Sequence, residues 1–254
     1  AGNTVIFKPA PQSIMVGQKI DSLFCRVGLP PGVLQTLVVD DDDAPLLTEH
    51  PQADKIIFTG STHVGQKIMN AASAHITPFV LELGGKDAAI IAADADLERA
   101  AKGCVWGATF GSGQVCASIE RVYVEQSVLD RFIHLCLQEI RKINVGDPLT
   151  PGTDIGPLSV PEQLDIVESH IRDAVSKGAA ILFGGKRLGT SGYFFQPTLL
   201  INVDHSMRVM TEETFGPVLP IMTVDSVQTA IELANQSPYG LSAYGWTSNP
   251  HTAE

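Results

Sequence analysis

Short apolar runs alternate with helical patterns along the first third of the chain, and this restricts the fold more than any other feature. Strand–helix–strand units of this kind close into a parallel sheet, which defines an α/β fold. Thr4 to Phe7 is the first predicted strand, and a helix follows from about Ser13, with Val16, Ile20, Leu23, Phe24 and Val27 at helical spacing and Gly28 placed to stop it. After the turn Pro30-Pro31-Gly32, Leu34 to Val39 reads as the next strand, and the acidic run Asp40 to Asp43 as a solvated loop. Lys55 to Thr59 is a third strand, ending in Gly60-Ser61-Thr62-His63-Val64-Gly65 and a helix from about Val64 to Ala74; Phe79 to Leu83 is a fourth.

The glycine pair Gly84-Gly85 breaks this pattern and divides the chain into two expected domains, residues 1–84 and 85–254. In the second, Asp94 and Asp96 are N-cap candidates for a helix that buries Leu97, Ala101, Cys104, Val105 and Ala108. Leu129, Phe132, Ile133, Cys136, Ile140 and Ile143 form another apolar face. Strands are expected at Arg121 to Val124, Ala180 to Phe183, Phe194 to Leu200 and Val218 to Val224, with a helix around Pro161 to Lys177. A chain of 254 residues with a net charge of −11 has enough length for a substantial core but no basic excess. The charge argues against nucleic acid and anionic membrane surfaces as partners, and no apolar run is long enough to span a bilayer.

Two segments stand out chemically. Cys116 lies among small residues in Gly111-Ser112-Gly113-Gln114-Val115-Cys116-Ala117, a setting that lets a carbonyl group approach a thiolate nucleophile. Glu82 interrupts the apolar run Phe79-Val80-Leu81-Glu82-Leu83, and a carboxylate in an apolar cleft has a raised pKa suited to a general base. Each has a plainer reading, as a small buried hydrophobe and as a solvent-facing strand residue. Cys104 and Cys136 fall on apolar helical faces, and Cys25 sits off its helix's main stripe. None of the four cysteines has the spacing of a zinc site or a disulfide framework, which favours a reducing compartment and no metal. The turn Gly60 to Gly65, between a strand and a helix N-terminus, suits a phosphate or serves simply as a tight turn.

The segments Phe58-Thr59-Gly60-Ser61-Thr62-His63-Val64-Gly65, Glu82-Leu83-Gly84-Gly85-Lys86, Gly113-Gln114-Val115-Cys116 and Glu212-Glu213-Thr214-Phe215-Gly216-Pro217, in this order after Asn3-Thr4-Val5-Ile6-Phe7-Lys8-Pro9, resemble the aldehyde dehydrogenase superfamily over nearly the whole chain. The resemblance implies part of a Rossmann-like coenzyme domain followed by a catalytic domain of the aldehyde dehydrogenase type. It implies oxidation of an aldehyde substrate to a carboxylic acid through a thiohemiacetal and a thioester on Cys116, with Glu82 activating the hydrolytic water.

For the coenzyme, NAD with NADP as an alternative, the resemblance assigns Lys8 to the adenosine ribose. It assigns Gly60, Ser61, Val64, Gly65 and Leu83 to the adenine and pyrophosphate region, Glu213 to the nicotinamide ribose and Phe215 to the nicotinamide. Many NAD-preferring relatives carry a glutamate three residues after the lysine. Here that residue is Pro11, so one repulsion against a 2′-phosphate is removed. The chain reads as an internal fragment of a cytoplasmic enzyme that forms a homodimer or homotetramer, lacking the asparagine with which the family holds its oxyanion. The alternatives are a CoA-acylating semialdehyde dehydrogenase, against which Glu82 counts, and an inactive fragment acting as a binding or structural module.

Overall fold

A computed structural model describes residues 2–254, which form two compact units that divide after Leu83. The first contains β1 (Val5–Phe7), α1 (Ile14–Arg26), β2 (Leu34–Thr36), α2 (Pro45–Thr48), β3 (Ile56–Thr59), α3 (Thr62–Ser73) and β4 (Phe79–Glu82). The parallel pairing expected from the βα pattern is present as two separate two-stranded sheets, β1-β2 and β3-β4. Helix α1 ends as its sequence predicts, with Gly28 in the left-handed region at φ 86°. Its apolar stripe is not buried, however: Val16, Leu23, Phe24 and Val27 are exposed, and the helix approaches the unit through Gly17, whose bare Cα packs on Pro9 and Phe7. Two three-residue strands offer too little apolar surface to cover such a stripe.

The second unit runs β5 (Asp87–Ile91), α4 (Leu97–Thr109), β6 (Ile119–Glu125), α5 (Leu129–Ile140), α6 (Pro161–Ser176), β7 (Ala180–Phe183), β8 (Thr198–Ile201), α7 (Arg208–Thr211), β9 (Val218–Val224), α8 (Val227–Asn235), β10 (Ala243–Trp246) and α9 (Pro250–Ala253). Its sheet has the order β10-β5-β6-β9-β8-β7, parallel throughout except for β7. Both faces are covered, as a parallel sheet requires. The period-two alternation sends Tyr123, Leu200 and Val218 to one face, against Leu164, Val167 and Ile171 of α6. It sends Val122, Val124, Leu199, Leu219 and Ile221 to the other, against α4 and α5. Ala100, Ala101, Cys104 and Ala108 of α4 are fully buried, and their small side chains let that helix lie close to the strands. Asp96 caps α4 by accepting the Arg99 amide.

The ladder between β5 and β6 is irregular at its start. Asp87 pairs with Ile119 but Ala88 pairs with Arg121, so Glu120 is the extra residue of a β-bulge.

Phe132, fully buried between α5 and the sheet, tests this packing. Urea unfolding of Phe132→Ala is expected to show a loss of about 3–5 kcal/mol, whereas truncation of the exposed Leu149 changes stability by less than about 0.5 kcal/mol.

Candidate functional site

Three of the singled-out segments of the second unit converge on one end of its sheet. Gly84-Gly85-Lys86 leads into β5, the Cys116 loop into β6 and Glu213 to Pro217 into β9, and these three strands are parallel neighbours. The start of β10 joins them, because Ser242, just before it, donates its amide to Asp87 Oδ1 at 3.0 Å and Tyr244, within it, donates its hydroxyl to the Ala117 carbonyl at 2.8 Å. Parallel strands carry their amino ends on one side, so segments far apart in sequence are brought together.

The cysteine loop is shaped by backbone handedness. After α4 the chain passes through Gly111, Ser112 and Gly113 with φ of 59°, 61° and 72°, a left-handed run in which only Ser112 bears a side chain. Ser112 donates its hydroxyl to the Gly156 carbonyl at 2.7 Å, which helps offset the strain of that conformation. A Cβ on Gly113 would run into the backbone of Gly216 and Pro217, so this glycine permits direct contact with the segment before β9. Gln114 fastens the loop further by accepting the Ser159 amide at 2.9 Å. Cys116 emerges from this framework exposed. Cys104 and Cys136 are enclosed in the core, and burial pushes both thiols well above their ordinary pKa. Cys25 is exposed at the end of α1, without a comparable loop.

Gly84 and Gly85 lie between this loop and Glu213. Any Cβ on Gly84 would overlap the Glu213 carboxylate, and one on Gly85 would sit 2.8 Å from the Cys116 carbonyl. Glu213 Oε1 accepts the Gly85 amide at 3.1 Å. Burial, reinforced by the nearby Glu120 charge, raises the Glu213 pKa. Phe215 is half-buried and takes a φ of 48°, unusual for an aromatic residue.

Behind these loops lies a buried polar network that the sequence does not announce. Lys86 Nζ donates to Glu120 at 2.6 Å and to Thr214 Oγ1 at 3.1 Å, and Glu120 accepts the amides of Thr214 and Phe215, both at 2.7 Å. Burial pushes the Lys86 pKa down, with Glu120 opposing it. His170, within reach of Thr214 and Glu212, is pushed down to about 4 by burial and by the Lys86 and Arg208 charges. The signal in sequence was the pair Glu120-Arg121 at the head of an otherwise apolar strand.

The first unit presents its candidates at the carboxyl ends of its strands. Ser61 caps α3 by accepting the Val64 amide at 3.3 Å, and Gly60 donates its amide to the Glu82 carbonyl at 3.0 Å. Gly65 is bare where Leu83 packs, since a Cβ there would lie 2.6 Å from the leucine side chain. The α3 N-terminus, Gly60, Ser61, Val64, Gly65 and Leu83 are therefore contiguous.

Two expectations change. Glu82 follows its plainer reading as a solvent-facing strand residue and is not enclosed by apolar neighbours, because it ends β4 opposite Thr59 in a two-stranded ribbon. The acidic run is not merely solvated: Asp41 forms an ion pair with Lys8 Nζ at 2.7 Å. Trp106 and Phe110, inconspicuous in the sequence, form an exposed aromatic pair with centroids 5.0 Å apart at the end of α4; their spacing of four was the available clue.

Comparison with known proteins shows the family. The profile of the Aldehyde dehydrogenase family matches residues 1–254, and the chain belongs to that family. It is 41% identical over 255 residues to 4,4'-diapolycopene aldehyde oxidase of Methylomonas sp, covering 100% of this chain and 47% of that protein. A solved 3,6-anhydro-L-galactose dehydrogenase in complex with NAP superposes with a TM-score of 0.97 at 37% identity, covering 100% of this chain and 54% of that one. An indole-3-acetaldehyde dehydrogenase complexed with NAD+ gives 0.96 at 36% identity, covering 99% and 52%. The chain thus spans about half the length of the relatives it matches.

Two groups near the loops give opposite pH dependences. Burial pushes Asp87 up to about 6 from its ordinary 3.8, so the folded state holds a proton that the unfolded chain has lost, and stability falls as pH rises from about 4 to about 6. His170, lowered from 6.5 to about 4, makes stability rise over an overlapping range. Asp87→Asn keeps an acceptor for Ser242 and removes the first effect. The stability of Asp87→Asn relative to wild type, measured by urea unfolding, is expected to grow by about 2 kcal/mol between pH 4 and 6.

Proposed function

We propose that this chain carries coenzyme-binding and catalytic parts of an NAD(P)-dependent aldehyde dehydrogenase that converts an aldehyde to a carboxylic acid. The observation that carries this reading is Cys116, exposed on a loop in backbone contact with both the Gly84-Gly85 segment and the segment following Glu213.

The Cys116 thiolate attacks the aldehyde carbonyl carbon and forms a carbon–sulfur bond, giving a thiohemiacetal. The dinucleotide, when bound, supplies a hydride acceptor. The acyl group then rests on the same sulfur as a thioester, and Glu82 accepts a proton from the water that releases it as free acid.

The residues fit a dinucleotide. Bare Cα atoms at Gly60 and Gly65 hold the turn tightly against Phe58 and Leu83, and the first turn of α3 offers amide groups to phosphate. Glu213 offers a carboxylate to ribose hydroxyls, Phe215 an aromatic face to the nicotinamide, and Lys8 donors to the adenosine ribose. In the full-length protein, Cys116→Ser is expected to lower aldehyde oxidation at least about 10³-fold, and Glu82→Gln to accumulate an acyl-enzyme visible by mass spectrometry. Full activity in Cys116→Ser overturns the mechanism.

Asp41 alters the expectation drawn from Pro11. The carboxylate missing at that position is replaced by one from a different segment, held on Lys8 itself. It favours NAD, because a 2′-phosphate near Lys8 meets a negative charge. Asp41→Asn is expected to raise the NADP/NAD ratio of kcat/KM about tenfold, as measured by steady-state kinetics with both coenzymes.

A further inference from the structure

We propose that Glu120 is a positioning residue that fixes the Glu213–Phe215 segment in its coenzyme-binding conformation and ties that segment to the cysteine loop; the inference rests on the function proposed above. Glu120 lies four residues after Cys116 and is the bulged residue at the head of β6. In an unbroken ladder neighbouring side chains alternate between faces, but here Glu120 and Arg121 are both buried, at 3% exposure. The bulge gives Glu120 a course of its own, away from the apolar clusters on the two sheet faces.

Its carboxylate gathers donors from two other segments of the site. One oxygen accepts Lys86 Nζ, beside the glycine pair, and the Thr214 amide; the other accepts the Phe215 amide. Arg121, next in the strand, donates Nε to the Lys86 carbonyl at 2.8 Å, so both the side chain and the backbone of Lys86 are held from the start of β6. Thr214 is pinned through its hydroxyl as well, by Lys86 and His170.

The backbone of Phe215 shows what this holding achieves. Its left-handed φ of 48° is unfavourable for a residue with a Cβ. Two amide hydrogen bonds to a buried carboxylate exceed that cost. Without the charge the segment relaxes toward ordinary backbone angles, which turns Phe215 and swings the Glu213 carboxylate off Gly85. Glu120 touches neither substrate nor coenzyme in this scheme and acts through Glu213 and Phe215.

Glu120→Gln in the full-length protein tests this. NADH affinity by fluorescence titration is expected to weaken about tenfold, and the coenzyme KM to rise similarly, with kcat at saturation falling less. Hydrolysis of a p-nitrophenyl ester, which needs Cys116 but no coenzyme, reads the cysteine loop separately. Unchanged NADH affinity, or an equal loss of ester turnover, overturns the inference. Should the unpaired Lys86 prevent folding, Lys86→Gln/Glu120→Gln removes both charges, and the same two outcomes decide. If the unsubstituted protein binds no NADH, the proposed function itself fails, a result distinct from either.

Discussion

The pairing of Lys86 with Glu120 is the contact on which the second unit's loops depend. Both side chains are out of water, and taking two charges from solvent costs several kcal/mol before their attraction is counted. Such a pair is tolerated when the remaining lone pairs and protons are also satisfied, and here backbone amides, a threonine hydroxyl and the short 2.6 Å contact do so. What the cost secures is geometry: three segments separated by up to 128 residues share one polar knot at the amino ends of parallel strands.

The two units use opposite ends of their strands. Ligands of open α/β sheets ordinarily sit beyond the carboxyl ends, and in the first unit Lys8, the Gly60 to Gly65 turn and Glu82 lie at those ends. In the second, the segments gather before their strands begin. The chain passes from one arrangement to the other within Glu82-Leu83-Gly84-Gly85, and the glycine pair at that passage has no room for side chains.

Much of the fold was legible because periodicity and caps are local. Val218–Val224 was predicted with its observed boundaries, and the buried face of α4 follows its predicted stripe. Strand β5 was missed because Asp87-Ala88-Ala89 has poor strand propensity, and only burial on both faces makes it a strand. Strand β10 carries Gly245 and depends on β5 as its partner. The motif residues were visible, but their surroundings were not. Nothing local shows that Glu82 is exposed, that Asp41 reaches Lys8 across 33 residues, or that a bulge aims Glu120 at the Thr214 and Phe215 amides.

The pairing of β10 with β5 also orders events in time. Asp87 waits 155 residues for the Ser242 amide, and the Ala117 carbonyl waits 127 for the Tyr244 hydroxyl. Contacts of that sequence separation form late, after their loop-closure entropy has been met. On the ribosome, Cys116 emerges long before the strand that walls its loop, so the nascent chain carries an accessible thiol without its finished setting. Synthesis itself therefore delays the finished setting of the Cys116 loop until β10 has followed.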